Sequence, residues 1–323
     1  MSLRIVRIVH PEIGHYEEAA RVAAEQWTVA KEIDRQERFL GFQQMGVELV
    51  LGYESEELKG VAFFLPDKYE TADRKEHFVW LFRIYARPEA KNLGALMLIR
   101  IMNWYPAILG IGVTPEAAKL YQTLRWQKYE HIWRCVHPIS LTGMVARYND
   151  RLGGTWKKIF LKFVSRGYDF LSYLAALAIN PGLSFDKFDP LPVGHLEIKP
   201  GNLSIENKLK IISTYLTSYK ITSNNRVLET YGITGKGYIV RDDFQGLEKF
   251  LAHFKLWREL KKYHITFCEF LATSEKAKRQ MLINGYIPIR MPIYYWDKKN
   301  KIDGYFINLP KSKFNYGSCD KLL

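Results

Sequence analysis

The sequence predicts a mixed α/β protein of two domains, and three observations support this prediction. Apolar, β-branched runs that are typical of strands alternate with segments of helical periodicity along the chain. The 323 residues exceed what most single hydrophobic cores hold. The net charge of +13 is uneven, because residues 1–150 carry 19 Lys/Arg and 19 Asp/Glu, whereas residues 151–323 carry 28 and 15. We therefore expect a neutral first domain and a basic second domain.

Composition excludes several classes of protein. The three cysteines, Cys135, Cys268 and Cys319, are odd in number and far apart, which fits neither a disulfide framework nor a zinc site. The N-terminal residues lack the apolar core of a signal peptide, and no uncharged run is long enough to span a membrane. We expect a cytoplasmic protein that binds no metal.

The first half of the chain has a regular order of elements. Apolar periodicity, together with proline, glycine and capping residues, predicts a strand, two helices, three strands, a helix, a strand, a helix and a strand. These elements cover residues 3–9, 16–27, 29–39, 47–53, 60–66, 77–87, 96–104, 107–113, 114–126 and 129–136.

The stretch from Val79 to Leu96 is central to the interpretation. It begins as an apolar, aromatic run typical of a buried strand. Pro88 ends that strand, because proline has no N–H and restricts the residue before it. A short turn containing Lys91 and Gly94 then leads into a helix. Free N–H groups at a helix start, with the helix dipole behind them, form an anion-binding site.

The order of elements and two short motifs are similar to those of a known family. Residues 3–138 resemble a GCN5-related N-acetyltransferase (GNAT) domain, which is a central, mostly antiparallel mixed sheet flanked by helices. In that family an Arg/Gln-x-x-Gly-x-Gly/Ala loop follows a Pro-Glu after the fourth strand, and Lys91–Leu96 occupies this place. The family's later Leu-Tyr-x-x-x-Gly-Phe motif resembles Leu120–Trp126.

The resemblance implies an acyl-CoA-dependent N-acyltransferase, most simply an acetyltransferase, that moves an acyl group to an amine-bearing small molecule or peptide. It implies that one loop holds the pyrophosphate of acetyl-CoA or another acyl-CoA, through Lys91, Asn92, Leu93, Gly94, Ala95 and Leu96. Main-chain groups of the fourth strand would bind the pantetheine and the acyl carbonyl, at Ile84, Tyr85 and Ala86. Thr114 stands at the position of an asparagine that is often seen in the family.

Acyl transfer also needs an acid for the departing thiolate and a base for the amine. Tyr121 is the acid by its position in the motif, and its reference pKa of about 10 is near that of a thiol. The alternative is a tyrosine that only packs against the core. Glu76 and His77, at the start of the fourth strand, are the first candidates for the base, and we select Glu76. The alternatives are a relayed water and the carboxylates that follow the third strand, Asp67 and Glu70.

Three departures from the family pattern support a second hypothesis, a non-catalytic binding module that kept the fold. Lys91 keeps a positive charge but lacks the planar geometry of arginine. Leu96 replaces a small residue that lets a phosphate approach the backbone. Arg125 replaces the glycine before the aromatic residue of the later motif.

The second half repeats the order of the first. Met281–Tyr286 matches Tyr121–Trp126 position by position, but Met281 stands where Tyr121 does, and an acidic segment, residues 242–246, stands where a phosphate loop is expected. We infer a tandem protein whose second GNAT-like repeat is degenerate. The predicted domains are residues 1–139, a helical connector at 140–194, and residues 195–323. The predicted elements of the last domain cover residues 195–198, 206–220, 226–231, 236–241, 247–263, 265–270, 274–284, 287–296 and 305–309.

A third hypothesis is an aminoacyl-transferase-like protein whose basic second half holds RNA. No nucleic-acid-binding module accompanies the charge, so we do not expect a nucleic-acid partner. The connector raises a separate question, since apolar and basic residues interleave at helical spacing over residues 156–179. This segment is either an interfacial membrane helix or a helix that packs across the domain junction with its lysines turned outward, and we favour the second interpretation. The sequence leaves the oligomeric state open.

Overall fold

The computed structural model describes residues 2–25, 36–70, 75–111, 113–147, 154–178, 184–187, 217–223, 226–233, 236–239, 266–272, 274–283 and 285–298. These residues form two compact units. The first unit contains the described residues up to Ile132 and those from Met291 onward, and the second contains those from Trp133 to Arg290.

The helices and strands follow one another in this order along the chain. The strands are β1 (Leu3–Ile8), β2 (Glu48–Glu54), β3 (Glu57–Glu70), β4 (Lys75–Ala86), β5 (Ala107–Ile111), β6 (Gln127–Tyr129), β7 (Trp133–Pro138), β8 (Ser184–Lys187), β9 (Thr217–Ser223), β10 (Arg226–Ile233), β11 (Lys236–Ile239), β12 (Phe267–Ala272), β13 (Ile287–Arg290) and β14 (Ile293–Asp297). The helices are α1 (Ile13–Ala24), α2 (Gln36–Met45), α3 (Leu93–Trp104), α4 (Pro115–Thr123), α5 (Leu141–Arg147), α6 (Thr155–Ala178) and α7 (Glu275–Ile283).

The first unit is a mixed sheet with helices on both faces. Its strand order is β1-β2-β3-β4-β5-β14-β6, and every neighbouring pair is antiparallel except β4 and β5. Phe63 and Phe64 are adjacent in β3, so their side chains lie on opposite faces. Phe63 contacts Phe42 of α2, whereas Phe64 stacks on Tyr105, which follows α3. The α1–α2 and α3–α4 pairs therefore cover different faces of the sheet.

The parallel pair in the middle of this sheet is short. Its register covers three residue pairs, from Val79–Ile108 to Leu81–Gly110. Immediately after it, β4 contains a β-bulge, because Leu81 and Arg83 pair with successive residues of β3 and Phe82 is left between them. β4 then continues to Ala86 paired with β3 only. The described part of β4 after Leu81 thus has one edge that does not pair with β5.

The second unit repeats this topology. Its strand order is β8-β9-β10-β11-β12-β7-β13, with one parallel pair, β11 and β12, at the corresponding place. The turns after α4 and α7 also match: the N–H of Trp126 donates to the carbonyl of Tyr121 at 2.9 Å, and the N–H of Tyr286 donates to that of Met281 at 2.9 Å. Both turns have a residue with positive φ, at 59° and 82°. The positional match expected from the sequence is therefore present in the backbone.

Each sheet contains a strand from the other half of the chain. β7 follows the first half but lies between β12 and β13, and β14 follows the second half but lies between β5 and β6. The compact units therefore differ from the contiguous domains, 1–139 and 195–323, that chain order suggests. The single strand expected at residues 129–136 is divided into β6 and β7, and the one expected at residues 287–296 is divided into β13 and β14. In both cases the two parts lie in different sheets.

One further expectation for the second half is wrong in part. A helix was expected over residues 206–220, but its last four residues belong to β9 (Thr217–Ser223), which is paired with β8 and β10. Residues 206–216 lie outside the described residues. Threonine, tyrosine and isoleucine dominate this segment, and such residues favour strands when neighbouring strands are available. The elements expected at residues 195–198, 247–263 and 305–309 lie outside the described residues.

We predict that the first sheet depends on the inserted strand β14. Ile293 is completely buried at the start of β14, between Ile111 and Tyr129. Ile293→Asp places a charge in this core, so the free energy of unfolding should fall by more than about 3 kcal/mol, as measured by urea denaturation. Ile289→Asp, on the half-exposed face of β13, is the matched control and should cost less than about 1 kcal/mol. Equal losses in the two variants would contradict the prediction.

Candidate functional site

A structured loop connects β4 to α3. The N–H of Arg87 donates to the carbonyl of Lys59 at 2.8 Å, and the N–H of Ala90 donates to the carbonyl of Arg87 at 3.0 Å. Asn92 then adopts a left-handed conformation with φ of 66°, and α3 begins at the next residue. Asparagine tolerates this conformation better than most residues, so the local sequence suits this turn.

Backbone donors are available at the start of α3. Gly94 and Ala95 are in its first turn, where no carbonyl four residues earlier belongs to the helix. The N–H of Leu96, by contrast, donates to the carbonyl of Asn92 at 2.9 Å. The first turn contains no acidic residue, and the Asn92 side chain does not cap the helix. The two free N–H groups and the positive end of the helix dipole together favour an anion.

Gly94 lies against the end of β4. A Cβ built on Gly94 would be 3.6 Å from the Cβ of Ala86, which is an ordinary contact. Packing therefore does not require a glycine at this position. Because Gly94 has no side chain, its backbone is accessible to a ligand. This contact also shows that the structure brings the predicted loop residues together with the end of the predicted strand segment 84–86.

The charges beside the loop differ in their availability. The guanidinium of Arg87 makes three hydrogen bonds of 2.6, 2.9 and 3.2 Å to the carboxylate of Glu25 and a further one to Glu57. The charge of Arg87 is therefore balanced by these carboxylates. The same contacts hold the start of the loop to the end of α1 and to the β2–β3 hairpin. Lys91 is exposed and forms no ion pair with a described residue. Lys91 is therefore the cation of this loop that an anionic ligand can use.

The predicted cofactor residues differ in burial. Leu93 is buried in the core beneath α3, whereas Leu96 is 39% exposed at the surface of the helix. Tyr85 is buried, and Ile84 and Ala86 pack half-buried against the core cluster that includes α3. A bulky Leu96 is thus compatible with the fold because its side chain does not enter the core.

Tyr121 lies where β4 and β5 separate. A Cβ built on Gly110 would be 3.4 Å from Cε2 and 3.7 Å from the hydroxyl of Tyr121, and Gly110 forms the last β4–β5 pair with Leu81. The Tyr121 ring stacks on Trp126 with centroids 4.4 Å apart and meets Tyr294 edge-on at 5.8 Å. Only 3% of Tyr121 is exposed. Its hydroxyl is therefore held at the separation point by rings on two sides.

Burial controls the protonation of this hydroxyl. Desolvation raises the pKa of Tyr121 well above its ordinary value, because the phenolate would be charged in an apolar environment. The phenol therefore keeps its proton throughout the physiological pH range and is available as a donor.

The sequence missed two residues of this site. Gly110 carries a signal in retrospect, because a glycine inside an apolar strand often marks a close approach of another group. Tyr294 carries none, because its place beside Tyr121 depends on the insertion of β14 into the first sheet.

Thr114 begins helix α4. Its hydroxyl oxygen accepts a hydrogen bond of 3.3 Å from the N–H of Ala117, and proline follows at the first helical position. The capping pattern seen in the sequence is therefore confirmed. A contact of Thr114 with a cofactor stays a prediction.

The candidates for a general base lie along the β3–β4 hairpin. Glu76 pairs with Tyr69 of β3. Glu76 precedes Leu81 by five residues in β4, so the two residues are about 17 Å apart along the strand. Asp67 accepts a hydrogen bond of 3.0 Å from Nε1 of Trp80, and His77 is exposed. The side chains of Glu70 and Glu76 lie outside the described residues. The choice of Glu76 as base stays a prediction.

In the described part of the chain, no group of three or more His, Cys, Asp or Glu side chains is placed to hold a metal ion.

Comparison with known proteins identifies the fold. No protein-family model matches the sequence, and no curated protein matches it. Among solved structures, a tandem GNAT protein from the clavulanic acid biosynthesis pathway is similar with a TM-score of 0.53 at 10% identity, over 92% of this chain and 99% of that one. A candidate acetyltransferase from Pyrococcus horikoshii is similar with a TM-score of 0.51 at 10% identity, over 91% and 89% of the two chains. The chain therefore has the GNAT fold, with mixed sheets flanked by helices in two units.

Proposed function

We propose that the protein is an acyl-CoA-dependent N-acyltransferase, with acetyl-CoA as the first donor to test. One observation carries the proposal: the part of β4 that has separated from β5 lies between two features suited to the ends of a thioester cofactor. Free N–H groups and Lys91 suit a pyrophosphate on one side, and the buried Tyr121 hydroxyl suits a sulfur on the other. When bound, the donor would supply the activated acyl group.

Separate residues would bind the cofactor and transfer the proton. The N–H groups of Gly94 and Ala95 would bind phosphate oxygens, and the side chain of Lys91 would add a charge. The edge of β4 at residues 84–86, which does not pair with β5, would hydrogen-bond the extended pantetheine, as an added strand pairs with a sheet edge. Tyr121 would donate its proton to the departing thiolate.

The raised pKa of Tyr121 is compatible with this role. A phenol that holds its proton more firmly is a weaker donor, but the same apolar surroundings also raise the pKa of a thiol. The second unit shows the effect of such burial, where desolvation raises the pKa of the Cys135 thiol to about 12. When the pKa values of the proton donor and the proton acceptor rise together, their difference changes little, and so does the free energy of the proton transfer.

We also propose that chemistry is confined to the first unit. The second unit has the buried Met281 at the position of Tyr121, and a thioether has no proton to donate. The second half of the chain would then be a degenerate repeat whose last described strand, β14, joins the first sheet and brings Tyr294 with it. A non-catalytic binding module remains the second candidate, since Leu96 replaces a small residue at the helix start.

The anion site gives the first prediction. Acetyl-CoA at about 100 times its Kd should stabilise the native state by about 2.7 kcal/mol and raise the melting temperature by several degrees. Gly94→Asp should remove most of this shift, because the new carboxylate would repel phosphate, whereas packing accepts a side chain there. Gln122→Glu, an exposed change of the same charge on α4, should keep the full shift. A binding-module function without CoA predicts no shift in any of the three proteins.

The acid gives the second prediction. Tyr121→Phe should lower the rate of CoA release with a panel of amine acceptors by about 10²-fold or more, because the thiolate then leaves without a proton. The thermal shift with acetyl-CoA should remain, since the ring and its stacking are kept. Tyr53→Phe, which removes a hydroxyl at a distant strand, is the control and should retain full turnover. Unchanged turnover in Tyr121→Phe would remove this residue from the mechanism.

The protonation state of Tyr121 can be measured separately. In a spectrophotometric titration, wild type minus Tyr121→Phe isolates the absorbance of this one phenolate. Because burial raises its pKa, the difference signal should be absent at pH 10, where exposed tyrosines are about half ionised. A signal that appears at or below pH 10 would show that the hydroxyl is solvated.

A further inference from the structure

Helix α6 turns its apolar side chains away from the protein. Trp156 is 84% exposed and Phe163 is 80% exposed, whereas Ser165 is completely buried. The other apolar side chains that are at least 41% exposed recur at helical spacing, at Ile159, Phe160, Val164, Phe170, Leu171 and Leu174. Amphipathic helices of globular proteins normally bury this face, so the arrangement is inverted. The apolar side chains named here are therefore exposed, whereas Leu161 and Tyr168 of the same helix are half-buried. Packing of α6 across the domain junction, favoured from the sequence, stays a prediction.

Polar contacts fix this orientation. The carboxylate of Asp169 accepts hydrogen bonds from the N–H of Leu141 at 2.8 Å, the hydroxyl of Ser140 at 2.9 Å and the N–H of Thr142 at 3.3 Å. The hydroxyl of Tyr168 donates to the carbonyl of Pro138 at 3.3 Å. Together these contacts hold the polar side of α6 to the start of α5 and the end of β7. The apolar side is outward as a consequence of the packing within the second unit.

Positive charges border the exposed stripe. At about 100° per residue, Lys157 lies along one border and Arg166 along the other, and Lys162 lies further from the stripe, beyond Arg166. None of the three forms an ion pair with another described residue. The only acidic residue of α6, Asp169, lies on the opposite side and is occupied by its three hydrogen bonds. The surface is therefore apolar in the middle and cationic at both borders.

The length and charge of α6 suit a surface position rather than a span. The stripe from Trp156 to Leu174 extends over about 27 Å along the helix. No helix in the described part of the chain is long and apolar enough to cross a membrane. Helices with an aromatic and aliphatic face, basic borders and low overall hydrophobicity lie in the plane of a lipid interface.

We propose that α6 docks the protein on an anionic lipid surface, with its apolar stripe at the acyl boundary and Lys157, Lys162 and Arg166 at the level of the phosphates. A second copy of the chain fits less well. A two-fold interface through this face would bring the cationic borders of both copies together, and neither copy offers a carboxylate there to pair with them. The proposal is independent of the acyl-transfer function.

Vesicle flotation with the full chain tests the proposal. The protein should float with phosphatidylcholine vesicles that contain about 30% phosphatidylglycerol, much less with phosphatidylcholine alone, and less as salt is added. Phe160→Ser with Phe163→Ser should weaken binding to the anionic vesicles at least tenfold. Lys157→Gln, Lys162→Gln and Arg166→Gln together should weaken it by tenfold or more, because each basic residue near an anionic surface contributes severalfold. All five side chains are exposed or lie at the border, so the melting temperature should not change.

Matched variants in the same unit control for nonspecific hydrophobic binding and for the change in net charge. Leu282→Ser with Ile283→Ser removes two exposed apolar residues from α7, and Lys276→Gln with Arg279→Gln removes two exposed charges from it. Both should float like wild type. The proposal is overturned if wild type does not float with anionic vesicles at low salt, or if the α6 variants float as well as wild type. It is also overturned if light scattering shows a dimer that Phe160→Ser with Phe163→Ser dissociates while no protein floats.

Discussion

The separation of β4 from β5 after the Leu81–Gly110 pair determines the geometry of the candidate site. The bulge at Phe82 bends β4 away from its parallel neighbour while β3 keeps its pairing on the other side. Residues 84–86 therefore do not pair with β5, and the loop and the start of α3 follow them. Without the separation, β5 would pair with this part of β4, and the proposed binding of a ligand along it would be excluded.

The first site also depends on the far end of the described chain. β14 closes the first sheet between β5 and β6 and brings Tyr294 against the ring of Tyr121. β7 occupies the equivalent position in the second sheet. A degenerate second repeat can therefore be retained for a structural reason, since its last strand completes the sheet that carries Tyr121.

The second unit has its own distinctive feature in α6. Three hydrogen bonds to Asp169 use the polar side of the helix for attachment, so the apolar side is left for an external partner. The cationic borders and the absence of acids on that side favour a phosphate-rich surface over a copy of the same chain.

Local sequence patterns determined most of the described elements of the first half, including the Pro88 stop, the Thr114 cap and the turn that leads into α3. They determined these features because strand periodicity, proline restrictions and capping act within a few residues. The exchange of β7 and β14, the approach of Tyr294 to Tyr121 and the outward face of α6 were decided only by tertiary structure. An apolar strand pattern shows that a strand is buried but not in which sheet, and an amphipathic pattern shows that one face differs but not which face meets the protein.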